Sequence, residues 1–314
     1  MSAALEPDRR ATVEVPATSA NLGPGYDCLG LALSWTDQVS FVTAVRGEAE
    51  PQVQVAVTGE GAGVLAGDHR NLVASTLLAG LHRVQVQVPE RVAVRIQVHN
   101  TIPQGRGLGS SSAAIVAGLA GAHALTCPDT PFRPAEWLPL ADRIEGHPDN
   151  VAAALCGGLT LAYPSAAADR AMSAVRLPTD PRVQAMVLVP ETPLATSTAR
   201  SVLPESVPHR DAAANAARAA LLVHALGAAP ELLFDATVDR LHQDYRAGSM
   251  PESARLLQSL REQGIAAAIS GAGPTVLALG TEQSLAPVDA IAADGFRVVR
   301  CSIADGASVV ADPS

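Results

Sequence analysis

The chain has 314 residues, which is enough for one large domain or for two domains of ordinary size. Hydrophobic residues make up 48% of it and charged residues 17%, so the composition predicts a folded protein with a sizeable core. The formal net charge is −9 and there is no basic run, which argues against a nucleic-acid partner held through phosphate contacts.

The chain contains no lysine, because all 22 of its Lys+Arg residues are arginine. A phosphate loop ending in Gly-Lys-Ser/Thr is therefore excluded, and so is a mechanism with a lysine base. The cysteines are scattered without a CxxC pair, which argues against a zinc ribbon and favours a reducing compartment. No apolar stretch is long enough to span a bilayer and the N-terminus lacks the apolar segment of a signal peptide. We therefore expect a cytoplasmic protein with no membrane partner.

The first half of the chain alternates strand and helix patterns. Apolar residues at every second position predict strands with one solvated face. Ala-rich segments bounded by serine or glycine predict helices. The predicted strands are 12–15, 53–57 and 91–99, with a loop over 21–27, and the predicted helices are 112–125 and 135–145.

The second half has the same mixture of elements. Its predicted strands are 183–189, 266–270 and 275–279, and its predicted helices are 212–226 and 252–263. A polar segment over 163–170 separates the halves, so we predict two domains, 1–165 and 166–314. Mixed strands and helices in both halves predict an α+β fold.

The most informative segment is 102–114, IPQGRGLGSSSAA. A predicted strand ends near Asn100, three glycines follow at alternate positions, and three serines then open a helix. Glycine lets the backbone approach a ligand closely at positive φ, and a helix N-terminus attracts anions. The segment therefore predicts a phosphate-binding loop that needs no lysine, with serine hydroxyls able to bind phosphate oxygen or a magnesium ion.

Residues 103–114 resemble the ATP-binding motif of the GHMP kinases, a family of small-molecule kinases. Residues 16–27 (PATSANLGPGYD) resemble the first motif of that family, and 269–276 (ISGAGPTV) resemble its third, glycine-rich motif. The resemblance implies a two-domain α+β fold. Its N-terminal domain would be like the second domain of ribosomal protein S5, with a left-handed βαβ unit, and a C-terminal α+β domain would complete the cleft. The family also suggests a homodimer.

The substrate is indicated by the first motif and by three shorter segments. Residues 16–27 have the form found in family members that phosphorylate L-homoserine, and 145–150, 196–200 and 242–246 resemble segments of the same members. Sugar and mevalonate kinases of the family tend to carry Gly-Glu-His and basic residues in the first motif. The resemblance thus implies ATP-dependent phosphorylation of L-homoserine on the route to threonine. The alternatives are another small alcohol as substrate, or an inactive relative that senses ATP or an amino acid.

The resemblance also implies roles on the nucleotide side. Glu145 and Ser111 are expected to hold Mg²⁺, although the sequence does not distinguish among the three serines. Glu145, Asp149 and Asn150 are expected to be the catalytic residues, with Asn150 near the transferred phosphoryl group. Since there is no lysine, either Asp149 acts alone as a base or, as we expect, the hydroxyl proton passes to a phosphate oxygen. The residues expected to bind the ATP phosphates are Pro103, Gly105, Gly107, Leu108, Gly109, Ser110, Ser111 and Ser112.

The substrate side is implied in the same way. Arginine binds a carboxylate through a bidentate fork, so Arg200 and Arg246 are expected to bind the carboxylate of a zwitterion. Asp27 is expected to bind its ammonium group. The ordinary alternatives are turn-stabilising roles for the polar loop residues and solvated positions for the arginines. The full set of expected substrate contacts is Asn21, Asp27, His147, Asp149, Thr196, Arg200, Arg246 and Gly271.

Overall fold

The computed structural model describes residues 3–166, 171–291 and 295–310. The strands are β1 (Ala3–Ala4), β2 (Arg10–Asn21), β3 (Gly25–Val45), β4 (Val53–Gly59), β5 (Val86–Gln87), β6 (Val92–Asn100), β7 (Leu159–Pro164), β8 (Met172–Leu177), β9 (Gln184–Pro190), β10 (Ala267–Ile269), β11 (Val276–Gly280), β12 (Phe296–Cys301) and β13 (Ser308–Val310). The α-helices are α1 (Leu72–Arg83), α2 (Ser110–Thr126), α3 (Pro134–Glu145), α4 (Pro148–Cys156), α5 (Thr196–Ser201), α6 (His209–Ala228), α7 (Leu233–Ala236), α8 (Gln243–Arg246), α9 (Pro251–Glu262), α10 (Glu282–Leu285) and α11 (Val288–Ile291). None of the described helices is both long and apolar enough to cross a membrane.

The larger sheet has seven strands, five of which follow one another in the order β13, β2, β3, β6, β4. Strand β3 is 21 residues long and pairs with two strands besides β2. Residues 38–45 pair with β6, and residues 29–31 pair with β7. Strand β8 continues the sheet beyond β7. Strands β4 and β6 are parallel and are joined through α1, which makes the βαβ unit of the N-terminal half.

The smaller sheet has four antiparallel strands in the order β10, β11, β9, β12. Because side chains alternate along a strand, β9 contributes to two cores. Ala185, Val187 and Val189 belong to the main core, whereas Met186 and Leu188 pack in a second core with residues of α9. The mixed α and β architecture predicted for both halves is confirmed.

Helix α2 passes through the interior, and nearly all of it beyond its first two residues is buried. Its glycines allow neighbouring elements to come close. A Cβ on Gly118 would lie 2.0 Å from the Thr76 hydroxyl, and one on Gly121 would lie 2.5 Å from the Phe41 ring. This packing fixes the helix so that its N-terminus opens into a cleft.

Most predicted elements are confirmed with small shifts of their ends, but the region of the first motif differs. Strand β2 extends to Asn21 and β3 begins at Gly25, so the loop predicted over 21–27 is wrong except at residues 22–24. Residues 16–20 are small or polar and show no alternation, and pairing with β3 holds them in the strand. Long-range pairing, rather than local propensity, therefore decides this segment.

The domain boundary at 165/166 stays a prediction. It falls between β7 and β8, which pair with each other, so the larger sheet continues to Leu177. Strand β13 also returns from the C-terminal end to pair with β2. Residues 167–170 of the predicted polar segment lie outside the described residues.

Candidate active site

A cleft of about 440 Å³ lies where the N-terminus of α2 meets the loops before α4 and after β10. Asp27 and Ser112 are not in its wall but directly support it, since Asp27 bonds to Arg200 and Ser112 bonds to Glu145. Distant segments of the chain thus converge on one site. The wall contains these residues predicted from the sequence: Asn21, Pro103, Gly105, Gly107, Leu108, Gly109, Ser110, Ser111, Glu145, His147, Asp149, Asn150, Thr196, Arg200, Arg246 and Gly271.

The glycines of the phosphate loop have left-handed backbones, with φ of +64° at Gly105, +73° at Gly107 and +69° at Gly109. Two of them also have no room for a side chain. A Cβ on Gly107 would lie 2.3 Å from the Ser270 carbonyl oxygen, and one on Gly109 would lie 1.9 Å from the Thr18 hydroxyl. Gly109 is the N-cap of α2 and no side chain in the described ranges caps the helix, so its first N–H groups are available to an anion.

Neighbouring segments hold this loop on two sides. Thr18 N donates to Leu108 O at 3.0 Å, which ties the loop to β2. From the glycine-rich loop over 270–275, Ser270 Oγ donates to Gly107 O at 2.6 Å. The three motifs found in the sequence are therefore in direct contact.

Glu145 is the last residue of α3, and two serines of α2 hold its carboxylate. Its Oε1 accepts hydrogen bonds from Ser111 Oγ at 2.6 Å and from Ser112 Oγ at 2.8 Å. Ser112 is fully buried, so Ser111 is the one of these two that lines the cleft. Carboxylate and hydroxyl oxygens suit Mg²⁺, which proteins usually bind with one or two carboxylates together with phosphate oxygens. Among the described residues no group of three or more His, Cys, Asp or Glu could hold a metal ion alone.

Asp149 lies in the first turn of α4 and is almost completely buried. Its Oδ1 accepts hydrogen bonds from His147 Nδ1 at 3.1 Å and from Asn150 N at 2.7 Å. Burial by itself would lower the pKa of His147, but the hydrogen bond and charge of Asp149 outweigh burial and raise that pKa above its usual 6.5. The Thr18 hydroxyl orients Asn150 by donating to its Oδ1 at 2.8 Å.

Arg200 and Asp27 form an ion pair with two hydrogen bonds. Arg200 Nη2 lies 2.7 Å from Asp27 Oδ1, and Nη1 lies 3.2 Å from Oδ2 and 3.1 Å from the Tyr26 hydroxyl. Arg200 Nε is buried and has no hydrogen-bond partner among the described residues. This guanidinium therefore has a donor that the protein itself does not use.

Arg246 is 1% exposed and makes no ion pair with a described carboxylate. Its Nε donates to Ala199 O at 3.0 Å, and its Nη1 donates to Gly271 O at 3.2 Å and to His242 Nδ1 at 3.0 Å. Because His242 Nδ1 accepts, the proton of this ring is assigned to Nε2, which donates to Gly23 O at 2.8 Å. Burial lowers the pKa of His242, which agrees with a neutral ring.

The remaining predicted contacts are placed less tightly or act through the backbone. Asn21 Nδ2 donates to Gly271 O at 2.8 Å, and Asn21 Oδ1 accepts from Asp27 N at 3.0 Å. Thr196 is exposed at the start of α5. The roles of all these residues stay predictions.

Sequence reasoning missed Tyr26 and His242 as parts of the site. The Tyr26 ring lies 5.8 Å from the Arg200 guanidinium and 5.6 Å from that of Arg246, and 5.3 Å from the His242 ring. A signal for each was present, since Tyr26 precedes Asp27 in the first motif and His242 stands one helical turn before Arg246.

The other end of the cleft is largely apolar. Its wall includes Leu65, Leu72, Val73 and Val98. Asn71 caps α1 there by accepting from Val73 N at 3.0 Å. The cleft thus combines an apolar end, an anion-binding helix N-terminus and an end with paired charges.

Comparison with known proteins identifies relatives over nearly the whole chain. The profile of the GHMP kinases N terminal domain matches residues 71–158, and that of the GHMP kinases C terminal domain matches residues 217–293. Homoserine kinase of Streptomyces avermitilis is 50% identical over 300 residues, which cover 95% of each chain. Homoserine kinase of Corynebacterium diphtheriae is 43% identical and covers 99% of this chain and 100% of its own. The crystal structure of homoserine kinase from Cytophaga hutchinsonii superposes with a TM-score of 0.82 at 25% identity, covering 96% of this chain and 97% of that one.

Proposed function

The chain belongs to the GHMP kinase family, and on this premise we propose that it is a homoserine kinase. It transfers the γ-phosphoryl group of ATP to the side-chain hydroxyl of L-homoserine and so forms O-phospho-L-homoserine and ADP. The observation that carries this proposal is that Arg200 lines the same cleft as the phosphate loop and is paired with Asp27, which lies just behind the wall. Near-complete coverage by homoserine kinases at up to 50% identity supports it.

The paired charges suit a zwitterionic amino acid. The ammonium and carboxylate of the substrate stand on one carbon, and Asp27 and Arg200 stand side by side. On binding, the substrate carboxylate pairs with Arg200 and the substrate ammonium pairs with Asp27. The ion pair between the two residues is thus replaced by two ion pairs with the substrate. Arg246 adds a buried positive charge next to this position.

The nucleotide occupies the rest of the cleft. The N–H groups of residues 107–112 bind its phosphates, and the apolar end around Leu72 and Val98 takes the adenine base. Glu145 and Ser111 would hold Mg²⁺ through their oxygen atoms, which lie 2.6 Å apart. Such an ion would offset the negative charge of the phosphates.

Positioning and charge neutralisation do most of the work in phosphoryl transfer. The substrate hydroxyl oxygen forms a bond to the γ-phosphorus while the bond to ADP breaks, and the hydroxyl proton passes to a phosphate oxygen. Asp149 orients the hydroxyl: its Oδ1 is occupied by His147 and Asn150, and its Oδ2 accepts none of the hydrogen bonds formed among the described residues. The homodimer that the family resemblance implied and the cytoplasmic location that the cysteines and the N-terminal sequence favoured both stay predictions.

The test is coupled ADP release with MgATP, comparing L-homoserine with L-serine, L-threonine, mevalonate and galactose at equal concentration. Turnover largely confined to L-homoserine is the expected result. Turnover of mevalonate or galactose instead would contradict the substrate assignment but would still support the assignment of the phosphate-binding loop. ATP binding without turnover of any substrate would favour a sensor.

A further inference from the structure

Arg106 stands in the middle of the phosphate loop, and its side chain reaches the segment that follows β9. Its Nε donates to Pro190 O at 3.3 Å, and its Nη2 donates to Glu191 O. Its Nη1 donates to Gln104 O at 2.6 Å, within the loop itself. The planar guanidinium thus binds main-chain carbonyls of two segments, the phosphate loop and the end of β9, although Arg106 and Pro190 are 84 residues apart in the sequence.

The segment that Arg106 contacts leads directly to the substrate end of the cleft. Residues 190–195 connect β9 to α5, and α5 carries Arg200. A second contact reinforces the connection, since Leu194 N donates to Gly105 O at 2.8 Å. Arg106 lines both the cleft and a neighbouring cavity, so it forms part of the wall between them.

Arg106 and the buried Arg246 differ from the other cations of the cleft in having no carboxylate partner among the described residues. Arg70, His147 and Arg200 each have a carboxylate partner, at 2.8, 3.1 and 2.7 Å respectively. Arg106 makes no ion pair with any carboxylate in the described part of the chain, because its hydrogen-bond partners are neutral carbonyls. Its positive charge therefore stays available to phosphates bound in the loop.

We propose that Arg106 is a positioning residue that couples the nucleotide end of the cleft to the substrate end. This inference rests on the proposed function. Phosphates in the loop attract the Arg106 guanidinium and hold it in the arrangement that binds Pro190 O and Glu191 O. The segment over 190–195, and with it α5, is then ordered before the amino acid arrives, so Arg200 binds the amino acid at a lower entropic cost. By linkage, each ligand strengthens the binding of the other by the same factor.

The experiment measures the Kd of L-homoserine by calorimetry, with and without a saturating non-hydrolysable ATP analogue and Mg²⁺. For the wild-type chain we expect binding about 5-fold tighter, or more, in the presence of the analogue. Arg106→Lys keeps the charge but loses the planar fork. In this variant we expect the factor by which the analogue tightens binding of L-homoserine to fall to near one, while each ligand alone still binds. Arg106→Gln removes the charge as well and should also weaken binding of the analogue alone.

The matched control is Arg297→Gln. Arg297 lines the same neighbouring cavity, but its guanidinium lies 4.6 Å from the centre of the Trp35 ring and forms no described hydrogen bond to the phosphate loop. In Arg297→Gln, the factor by which the ATP analogue tightens binding of L-homoserine should equal that of the wild type. A wild-type factor of one, or an unchanged factor in Arg106→Lys, would overturn the proposal. The turnover assay is separate: coupled binding without turnover of L-homoserine would contradict the proposed function, whereas turnover with a factor of one would contradict only this inference.

Discussion

Arg200 and Asp27 are 173 residues apart in the sequence, yet two hydrogen bonds of 2.7 and 3.2 Å join their side chains. The pair holds two opposite charges side by side, so Asp27 offsets the charge of Arg200. The same arrangement leaves Arg200 Nε without a partner among the described residues.

The first prediction concerns Arg200→Ala. Loss of hydrogen bonds to a charged group costs about 1.5–3 kcal/mol, so we expect the KM for L-homoserine to rise about 10- to 100-fold. The KM for ATP should change much less. Initial-rate kinetics with each substrate varied in turn measure both. Arg255→Ala, at an exposed position of α9, is the control and should behave as the wild type; an unaltered KM for L-homoserine in Arg200→Ala would remove this residue from the substrate site.

The second prediction concerns Glu145→Gln. The amide keeps the shape of the side chain but loses the charge that two serine hydroxyls now bind. We expect kcat to fall about 100- to 1,000-fold and half-saturation to require more Mg²⁺. A Mg²⁺ titration of the rate at saturating ATP measures this. Glu136→Gln, on the exposed side of the same helix, should leave the titration as it is in the wild type; the same Mg²⁺ dependence in both variants would contradict the metal assignment.

The third prediction distinguishes orientation from general-base catalysis at Asp149. Removing a general base lowers kcat about 100- to 10,000-fold. If the proton passes to a phosphate oxygen, Asp149→Asn keeps the proton path and loses only part of the orientation, so we expect a fall below about 100-fold. Pre-steady-state measurement of the transfer step separates this effect from product release. Asp244→Asn, at an exposed carboxylate of α8, is the control; a larger loss in Asp149→Asn alone would make Asp149 the base.

The fourth prediction is a pH dependence of stability. The pKa of His147 is raised in the folded chain, because the hydrogen bond and charge of Asp149 outweigh burial. The protonated form is therefore stabilised by folding, and this contribution is complete below the ordinary pKa of 6.5 and is lost as pH rises through the raised value.

Thermal unfolding of the wild type and of His147→Gln, from pH values below 6.5 to values above the raised pKa of His147, measures the effect. The difference in Tm should be largest at low pH and should shrink above 6.5. His209→Gln, at an exposed histidine, should show no such trend. A difference that does not vary with pH would mean that the His147–Asp149 charge pair does not contribute.

The fifth prediction separates backbone strain from close packing in the phosphate loop. Gly63 and Gly107 have similar φ values of +75° and +73°, but a Cβ on Gly63 meets nothing within 4 Å, whereas one on Gly107 meets backbone oxygen at 2.3 Å. Gly63→Ala should cost only the left-handed strain of about 1–2 kcal/mol. Gly107→Ala should lower the free energy of unfolding by more than Gly63→Ala does, and it should also raise the KM for ATP. Equal unfolding free energies for the two variants would show that the loop can move away from residues 270–273.

The phosphate loop could be predicted from the sequence because its signals are local. Three alternate glycines followed by serines predicted a close-approach loop and then a helix, and the helix predicted at 112–125 is α2, Ser110–Thr126. Alternating apolar residues likewise predicted β4 and β6. In each case the property that matters, either the freedom of φ or the periodicity of one face, belongs to residues adjacent in the chain.

The long strand β3 and the end of β2 could not be predicted in the same way. Residues 16–20 carry no alternation, and their strand conformation depends on partners in β3. The same holds for the roles of Tyr26 and His242, which are visible only once Arg246 lies beside both. Local propensity is weak in such segments, so pairing and packing determine them.

The sequence by itself determined the class of chemistry: a lysine-free phosphate loop at a helix N-terminus, in a chain with the motifs of a small-molecule kinase family. Only the tertiary structure decided which distant groups meet, pairing Arg200 with Asp27 across 173 residues and Arg106 with the Pro190 carbonyl across 84. The reason is physical. A turn or a helix depends on neighbours along the chain, whereas a contact between distant side chains depends on how two sheets and the helices between them pack.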